Sequence, residues 1–311
     1  MAPNEGGFEK FAPWLSTAVF AYALLVIANL AWSGNIVLVR AIHEDIPPIG
    51  LMFWRCLFTV LILIPAFVPR WRAQLPLLMA HWRLIAGLGV LQFVGGQALL
   101  YIALQTTTAV NAGLLNATEP ALTALVAWVL LVERINRWQS LGIGLTLIGV
   151  AVIVLKGDLG TLVGLEFVAG DLIVQVAMLC WATYTVLFRR LPAGINPFVL
   201  LFAMSIAAWL FLVPFYVVEM VWFDRYVAAN LETGVVIVYL IFFGTLIGVG
   251  FSNMAIARIG PSRASSFTNL IPVFTAVLGV VILDEQFLGH HLAGTIAVFA
   301  GVAIVNRMRH R

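Results

Sequence analysis

The sequence predicts an all-α integral membrane protein of ten transmembrane helices, arranged as two five-helix repeats of inverted topology around a central cavity. Three observations predict this fold: an apolar composition, ten apolar runs of membrane-spanning length and an internal duplication. Of the 311 residues, 62% are hydrophobic and only 10% are charged, whereas about 25% are charged in an ordinary soluble domain. The mean hydropathy of +1.05 agrees. This composition excludes a soluble globular domain and makes the lipid bilayer the expected surroundings.

The ten transmembrane helices are predicted from runs rich in apolar residues and about 20 residues long, which is the length that crosses a bilayer. The predicted spans occupy residues 16–39, 48–68, 84–104, 108–131, 138–155, 170–188, 197–218, 234–256, 262–283 and 288–306. The connections between them are short. We therefore expect no soluble domain between the spans.

The lysines and arginines predict the orientation in the membrane, because cytoplasmic loops carry an excess of these residues. If both termini are cytoplasmic, only Arg40, Lys156 and Arg225 fall outside and Arg55 lies within a span. The other 13 of the 17 basic residues are then on the cytoplasmic side. This asymmetry predicts cytoplasmic N- and C-termini.

The chain also contains an internal repeat. At an offset of 152 residues, "LLNATEPALTALVAWVLLVE" aligns with "SFTNLIPVFTAVLGVVILDE", so that Pro120 meets Pro272 and Glu133 meets Glu285. At an offset of 149, "NLAWSGNIVLVR" aligns with "MLCWATYTVLFR". The repeated unit holds five spans, an odd number, so its second copy enters the membrane from the opposite face. Inverted repeats of this kind are typical of transporters that work by alternating access.

The repeat sets the predicted domain boundaries. We expect a cytoplasmic N-terminal tail, a first repeat of spans one to five, a periplasmic linker, a second repeat of spans six to ten and a basic cytoplasmic tail. These segments are 1–15, 16–155, 156–169, 170–306 and 307–311.

Spans four and five and their counterparts resemble a known family. "EPALTALVAWVLLVERINRWQSLGIGLTLIGVAVIV", its echo "IPVFTAVLGVVILDEQFLGHHLAGTIAVFAGVAIV", "AWSGNIVLVR" and "PPIGLMFWR" look like the EamA repeat of the drug/metabolite transporter superfamily. Among bacterial members, the aromatic amino-acid exporters are the most similar. The resemblance implies a secondary transporter of the inner membrane that exports amino acids and related small metabolites. A multidrug carrier or a nucleotide- or nucleobase-related carrier of the same superfamily is the alternative.

Two prolines interrupt apolar spans at equivalent places in the repeats. Pro120 and Pro272 each remove a backbone donor, and each ring clashes with the carbonyl four residues earlier, on Asn116 and Thr268 respectively. Irregular backbone at membrane depth is tolerated where it is buried in protein or faces a watery cavity. A structural kink satisfied by neighbouring helices is one interpretation. The other is that both prolines are hinges in spans that line the substrate pathway.

Two ionisable residues lie inside predicted spans at similar depth. Glu119 is either a hydrogen-bonded residue that ties helices together, a proton-coupling carboxylate or an anchor for a substrate ammonium group. Arg55 lies about 10 Å from the outer boundary at 1.5 Å per residue. It either pairs with another ion, reaches the membrane interface or binds a substrate carboxylate. The residues alone leave these alternatives open.

Polar and aromatic residues at mid-depth complete the predicted pathway. Trp32 and Trp181 occupy equivalent places in the two repeats, where their rings either pack against neighbouring helices or line a cavity for an apolar or aromatic substrate. The predicted pathway residues are Trp32, Asn35, Arg55, Gln92, Gln97, Tyr101, Asn116, Glu119, Trp181, Tyr184, Asn253, Thr268 and Asn269.

Other chemistry is not indicated. The sequence has no P-loop, no HExxH spacing at the adjacent His290 and His291, and no G-x-S-x-G motif. We therefore expect no enzyme, no metal and no cofactor. A membrane-embedded enzyme would show paired carboxylates or histidine clusters at one interface, and a channel would show a continuous polar face. The expected partners are a small-molecule substrate, the lipid bilayer and, through Glu119, coupled protons; nucleic acid is not expected, and a monomer is sufficient.

Overall fold

A computed structural model describes residues 18–132, 136–155, 168–192, 194–259 and 266–307. Within these ranges the regular structure is entirely helical. The helices are α1 (Ala18–Ala41), α2 (Pro48–Phe67), α3 (Trp71–Ala80), α4 (Trp82–Ala103), α5 (Ala109–Asn116), α6 (Glu119–Leu131), α7 (Arg137–Val154), α8 (Ala169–Phe188), α9 (Pro197–Phe223), α10 (Leu231–Tyr239, continued through Gly248–Ile259), α11 (Leu270–Leu283) and α12 (Gly289–Arg307). The predicted tail 1–15, most of the linker 156–169, Glu133 and most of the tail 307–311 lie outside the described residues.

Among the described residues, every helix except α3 overlaps a predicted apolar run, and seven helices are long and apolar enough to cross a membrane. These are α1, α2, α4, α7, α8, α9 and α10. The bent pair α5 and α6 forms an eighth if it counts as one span, and α11 and α12 are shorter apolar helices. The described part of the chain is therefore all-helical, with several helices of membrane-spanning length.

Span boundaries follow local capping chemistry. Asn136 closes a capping box with Gln139 at the start of α7, and its side-chain oxygen accepts hydrogen bonds from the backbone N–H groups of Trp138 and Gln139. Asn196 caps α9 in the same manner, and Pro197 occupies its first position. Such caps satisfy donors that a helix start leaves without partners.

The predicted fourth span is broken in its middle. Helices α5 and α6 meet at an angle of 45°, and Ala117 and Thr118 form the turn between them. The N–H of Thr118 donates to the carbonyl of Leu115, three residues earlier. Pro120 has no N–H with which to continue the regular helical hydrogen bonds. In the second half, a 3-10 turn from Ser266 to Asn269 precedes α11, again just before a proline. Both breaks lie where the sequence places the paired prolines, and their flexing remains a prediction.

Helices α4 and α10 each contain a π-helical segment, in which hydrogen bonds reach one residue further than in an α-helix. The segments are Val90–Ala98 and Leu240–Ile247. Their first residues are 150 positions apart, close to the offsets of the sequence repeat. Widened turns of this kind occur frequently at functional sites.

Glycines bring α7 and α12 into close contact. A Cβ added at Gly149 would lie 2.7 Å from the carbonyl oxygen of Gly294, and one added at Gly301 would lie 2.5 Å from that of Gly142. The four glycines therefore pair crosswise, with each repeat contributing one to each contact. Small residues allow membrane helices to approach in this way.

Candidate functional site: a central cavity

A cavity of about 380 Å³ lies at the centre of the helices. Helices of both halves contribute to its wall, among them α1, α2, α4, α6, α8 and α10. Nine of the thirteen predicted pathway residues line it: Trp32, Asn35, Arg55, Gln97, Tyr101, Asn116, Glu119, Trp181 and Thr268. Pro120 also lines it, so the broken span borders the cavity.

The remaining predicted residues lie elsewhere. Gln92 is buried away from the cavity lining, and Tyr184 packs against the apolar core beside Phe188. Asn269 ends the 3-10 turn without lining the cavity, and the side chain of Asn253 lies outside the described residues. Pro272 borders a separate, apolar cavity with Val273, Ala276 and Phe287.

Each cavity tryptophan lies against a glycine of the opposite half. A Cβ on Gly248 would lie 2.9 Å from Cε2 of Trp32, and a Cβ on Gly96 would lie 2.7 Å from Cε3 of Trp181. The indole of Trp32 also donates a hydrogen bond of 3.0 Å to the carbonyl of Gly244 in the π-helical segment. The two rings are thus fixed across the boundary between the halves.

Arg55 is buried in the cavity wall, with 3% of its surface exposed. Nη1 donates to the hydroxyl of Tyr101, and Nη2 donates to the hydroxyl of Thr245 at 3.1 Å. Among the described residues it forms no ion pair. Arg55 is therefore held in the cavity wall by two hydroxyl groups.

Several buried polar atoms near the cavity have no hydrogen-bond partner among the described residues. They include Nε of Arg55, Oδ1 of Asn35, Oε1 of Gln97 and Oδ1 of Asn29. Most buried polar groups in proteins are hydrogen-bonded, so an exception calls for an explanation. All four residues line the cavity, so these buried atoms belong to side chains that form its wall.

Glu119 begins α6 at the cavity. Its Oε1 accepts hydrogen bonds from the hydroxyl of Thr123 at 2.9 Å and from that of Thr185 at 3.4 Å. A carboxylate in the first turn also complements the positive end of the helix dipole. Glu119 therefore ties α6 to α8 and at the same time presents a polar group to the cavity.

Five polar cavity residues lie outside the predicted set: Asn29, Thr123, Ser252 and, on α8, Thr185 and Arg189. Thr185 is an ordinary residue of an apolar span, and only its contact with Glu119 distinguishes it. Arg189 was predicted at the cytoplasmic end of its span. Its alignment with Arg40 in the repeat was a usable signal that it has a structural partner.

One face of the protein is held together by carboxylates at helix starts. The carboxylate of Glu285 accepts hydrogen bonds of 2.8 Å from the backbone N–H groups of both Ala109 and Val110, where α5 begins. Nε of Arg40 lies 3.9 Å from the same carboxylate. Asp284, which ends α11 with a φ of 52°, turns the chain so that Glu285 can reach α5.

Glu219 makes the equivalent contact at the start of α2. It accepts hydrogen bonds from the N–H groups of Ile49 at 3.2 Å and Gly50 at 2.6 Å. We call these two contacts, Glu285 with Ala109 and Val110 and Glu219 with Ile49 and Gly50, the capped end. In both, an acid of the second half holds a helix start of the first half, where unpaired donors and the helix dipole favour negative charge.

No group of three or more metal-ligating side chains occurs among the residues that the structure describes. The predicted absence of a metal site stays a prediction.

Comparison with known proteins gives a family match over most of the chain. The family model described as "EamA-like transporter family" matches residues 19–155 and 168–307. The transporter YyaM of Bacillus subtilis, described as uncharacterized, is 32% identical over 69% of this chain and 70% of its own length. A protein of Salmonella typhimurium described as a probable amino-acid metabolite efflux pump is 25% identical over 91% of this chain and 92% of its own length. A solved crystal structure, 21% identical, covers 94% of this chain with a TM-score of 0.58, which indicates a shared fold.

Proposed function

Because this chain belongs to the EamA-like transporter family, we propose that it is a secondary transporter that exports amino acids, including aromatic ones, and related small metabolites by alternating access. The observation that carries the proposal is the central cavity, to which both halves contribute aromatic and polar side chains. A mostly apolar cavity with a few convergent polar groups is the usual form of a small-molecule site. The similarity to proteins described as probable amino-acid metabolite efflux pumps supports the substrate class.

We propose ten spans, formed by inverted repeats at residues 16–155 and 170–306. In this arrangement α5 with α6 forms span four, and the shorter α11 and α12 form spans nine and ten. The crosswise pairing of glycines between α7 and α12 supports it, as do the π-helical segments at corresponding positions in the two halves. Two similar halves can exchange conformations and so open a central site to each side in turn.

The proposed location is the bacterial inner membrane, with both termini in the cytoplasm. The excess of basic residues in the loops assigned to the cytoplasm supports this orientation. In this orientation α2 and α5 both begin at the periplasmic side, so the capped end faces the periplasm. Contacts that hold this end together are the expected arrangement when the cavity is accessible from the cytoplasm.

Uptake of a labelled amino-acid panel into proteoliposomes tests the proposal, with and without a pH gradient. The native protein is compared with Glu119→Gln and with Glu232→Gln, whose side chain is exposed at the start of α10. We expect flux of amino acids that requires protein. A gradient that accelerates the native protein and Glu232→Gln but not Glu119→Gln supports proton coupling through Glu119. Absence of amino-acid flux together with flux of lipophilic drugs or nucleobases would replace the substrate class by that of the alternative carriers.

A further inference from the structure

Arg55 places a positive charge in the cavity wall. Guanidinium groups carry a positive charge in proteins. A charged side chain inside the membrane is costly and is almost always paired with another charge or with backbone carbonyls. Here the two protein partners, Tyr101 and Thr245, supply only neutral hydroxyl oxygens. Among the described residues, no carboxylate forms an ion pair with Arg55.

The hydrogen-bonding capacity of Arg55 is also incompletely used. A guanidinium has five N–H donors in a planar fork. One donor on Nη1 and one on Nη2 bind hydroxyl groups, and Nε has no partner among the described residues. The hydroxyls fix the plane of the fork while leaving three donors available. A carboxylate is the ligand that this geometry favours, since it accepts two parallel hydrogen bonds from the fork.

Asn35 lies beside the guanidinium. A Cβ on Gly244 would be 2.0 Å from Nδ2 of Asn35 and 2.9 Å from Nη2 of Arg55, so both side chains approach the same point on the π-helical segment of α10. Oδ1 of Asn35 is buried and accepts no hydrogen bond from the described residues. An acceptor without a partner, on a residue whose side chain lies beside a cation, suits a ligand that carries a donor close to its anionic group.

An α-amino acid is such a ligand, because its ammonium and carboxylate groups are attached to the same carbon. We propose that Arg55 binds the α-carboxylate of the transported molecule and that Oδ1 of Asn35 accepts a hydrogen bond from its α-ammonium group. This assignment rests on the proposed function of the central cavity. It makes the zwitterionic α-amino acid group the recognised feature, and it leaves the side chain to the largely apolar remainder of the cavity.

Binding to the purified full-length protein tests the assignment independently of transport. The probes are L-phenylalanine and L-leucine, the amide of each, which lacks the carboxylate, and the acid analogue of each without its amino group. Affinity is measured from ligand-induced thermal stabilisation and from tryptophan fluorescence, because Trp32 and Trp181 line the cavity. We expect each amide to bind at least about tenfold more weakly than the free amino acid, since it loses a charge-assisted pair of hydrogen bonds.

Variants assign this preference to the named residues. Arg55→Gln should bind acid and amide with similar affinity, and Arg55→Lys should recover part of the difference because it keeps the charge without the fork. Asn35→Ala should lose the preference for the amino acid over its analogue without the amino group. Arg70→Gln is the matched control, because Arg70 is exposed and, among the described residues, donates to the carbonyl of Ala66, four residues earlier. It should behave like the native protein.

The native protein alone can overturn the assignment, so the result does not depend on whether the Arg55 variants fold. Equal binding of acid and amide, or no binding of either amino acid, contradicts it. Flux of amino acids without any preference for the carboxylate would leave the proposed function standing and remove the subsite. Conversely, the native protein could prefer the carboxylate, lose this preference in Arg55→Gln and yet show no amino-acid flux. That result would support the subsite and contradict the proposed function.

Discussion

The contacts of the capped end predict how substitution of Glu285 shifts an equilibrium between two states. In one state the cavity is closed at the capped end, and in the other it is open there. The carboxylate of Glu285 receives two hydrogen bonds of 2.8 Å from the first turn of α5. A hydrogen bond to a charged group contributes about 1.5 to 3 kcal/mol. Glutamine keeps one oxygen as an acceptor but loses the second bond and the negative charge. We therefore expect Glu285→Gln to destabilise the state closed at the capped end by about 2 to 3 kcal/mol. This corresponds to a shift of about 30- to 140-fold toward the state that is open there.

Labelling of a cysteine in the cavity measures this equilibrium. Ser252 lines the cavity and is replaced by cysteine, after Cys56 and Cys180 have both been replaced by alanine. A membrane-impermeant maleimide is then applied to each side of the membrane in turn. We expect Glu285→Gln to accelerate labelling from the side of the capped end and to slow it from the opposite side.

The control for this experiment is Glu232→Gln, which removes an exposed acid at the start of α10. It should label like the parent protein from both sides. Equal labelling rates in Glu285→Gln and its parent would refute the reasoning, because they would show that breaking this contact does not limit opening. Faster labelling from both sides would also contradict it and would indicate loss of structure instead of a shift between two states.

Three further predictions concern packing and backbone strain. Gly149→Ala should lower the thermal unfolding midpoint in detergent, because its Cβ would lie 2.7 Å from backbone atoms of α12 and overpacking costs about 1 to 3 kcal/mol. Gly144→Ala in the same helix is the control, because nothing lies within 4 Å of its Cβ, and it should not lower the midpoint. Val132→Asn should raise the thermal unfolding midpoint by the equivalent of about 1 kcal/mol, because valine there has a φ of 55° and asparagine tolerates this conformation better. An unchanged or lower midpoint would show that backbone strain at residue 132 is not significant. Gly96→Ala should displace Trp181, whose ring a Cβ would approach to 2.7 Å, and reduce amino-acid flux in proteoliposomes while protein yield is maintained; unchanged flux would show that this ring position does not matter.

The helices were predictable because their boundaries depend on local chemistry. Composition determines which runs can be buried in lipid, and Pro48 and Pro197 mark helix starts because proline fits the first position. The predicted span 197–218 ends one residue before Glu219, whereas α9 continues to Phe223 and includes it. The short helix α3 was not predicted, since its mixture of arginine, glutamine and apolar residues lacks the pattern of a span.

The cavity was predictable in part, because a polar residue inside an apolar span has few places to lie except the interior. The partners of those residues were not predictable. Arg55 binds Tyr101, 46 positions away, and Thr245, 190 positions away. Which residues meet across such distances depends on how each helix is rotated about its axis. A single sequence without an alignment contains no signal for that rotation.

The π-helical segments of α4 and α10 have a consequence for how the cavity could be altered by insertion or deletion. Each residue in a regular helix advances the direction of its side chain by about 100°, and a π turn holds one residue more than an α turn. Deleting one residue within Leu240–Ile247 would let α10 become regular and would turn everything on one side of the deletion by about that angle. Gly244 and Thr245, which lie beside Arg55, would no longer face the same direction as Gly248 beneath Trp32. The extra residue in this turn thus determines how the two ends of α10 are rotated relative to each other about the helix axis. A gain or loss of one residue there would therefore change the cavity more than most substitutions of its lining.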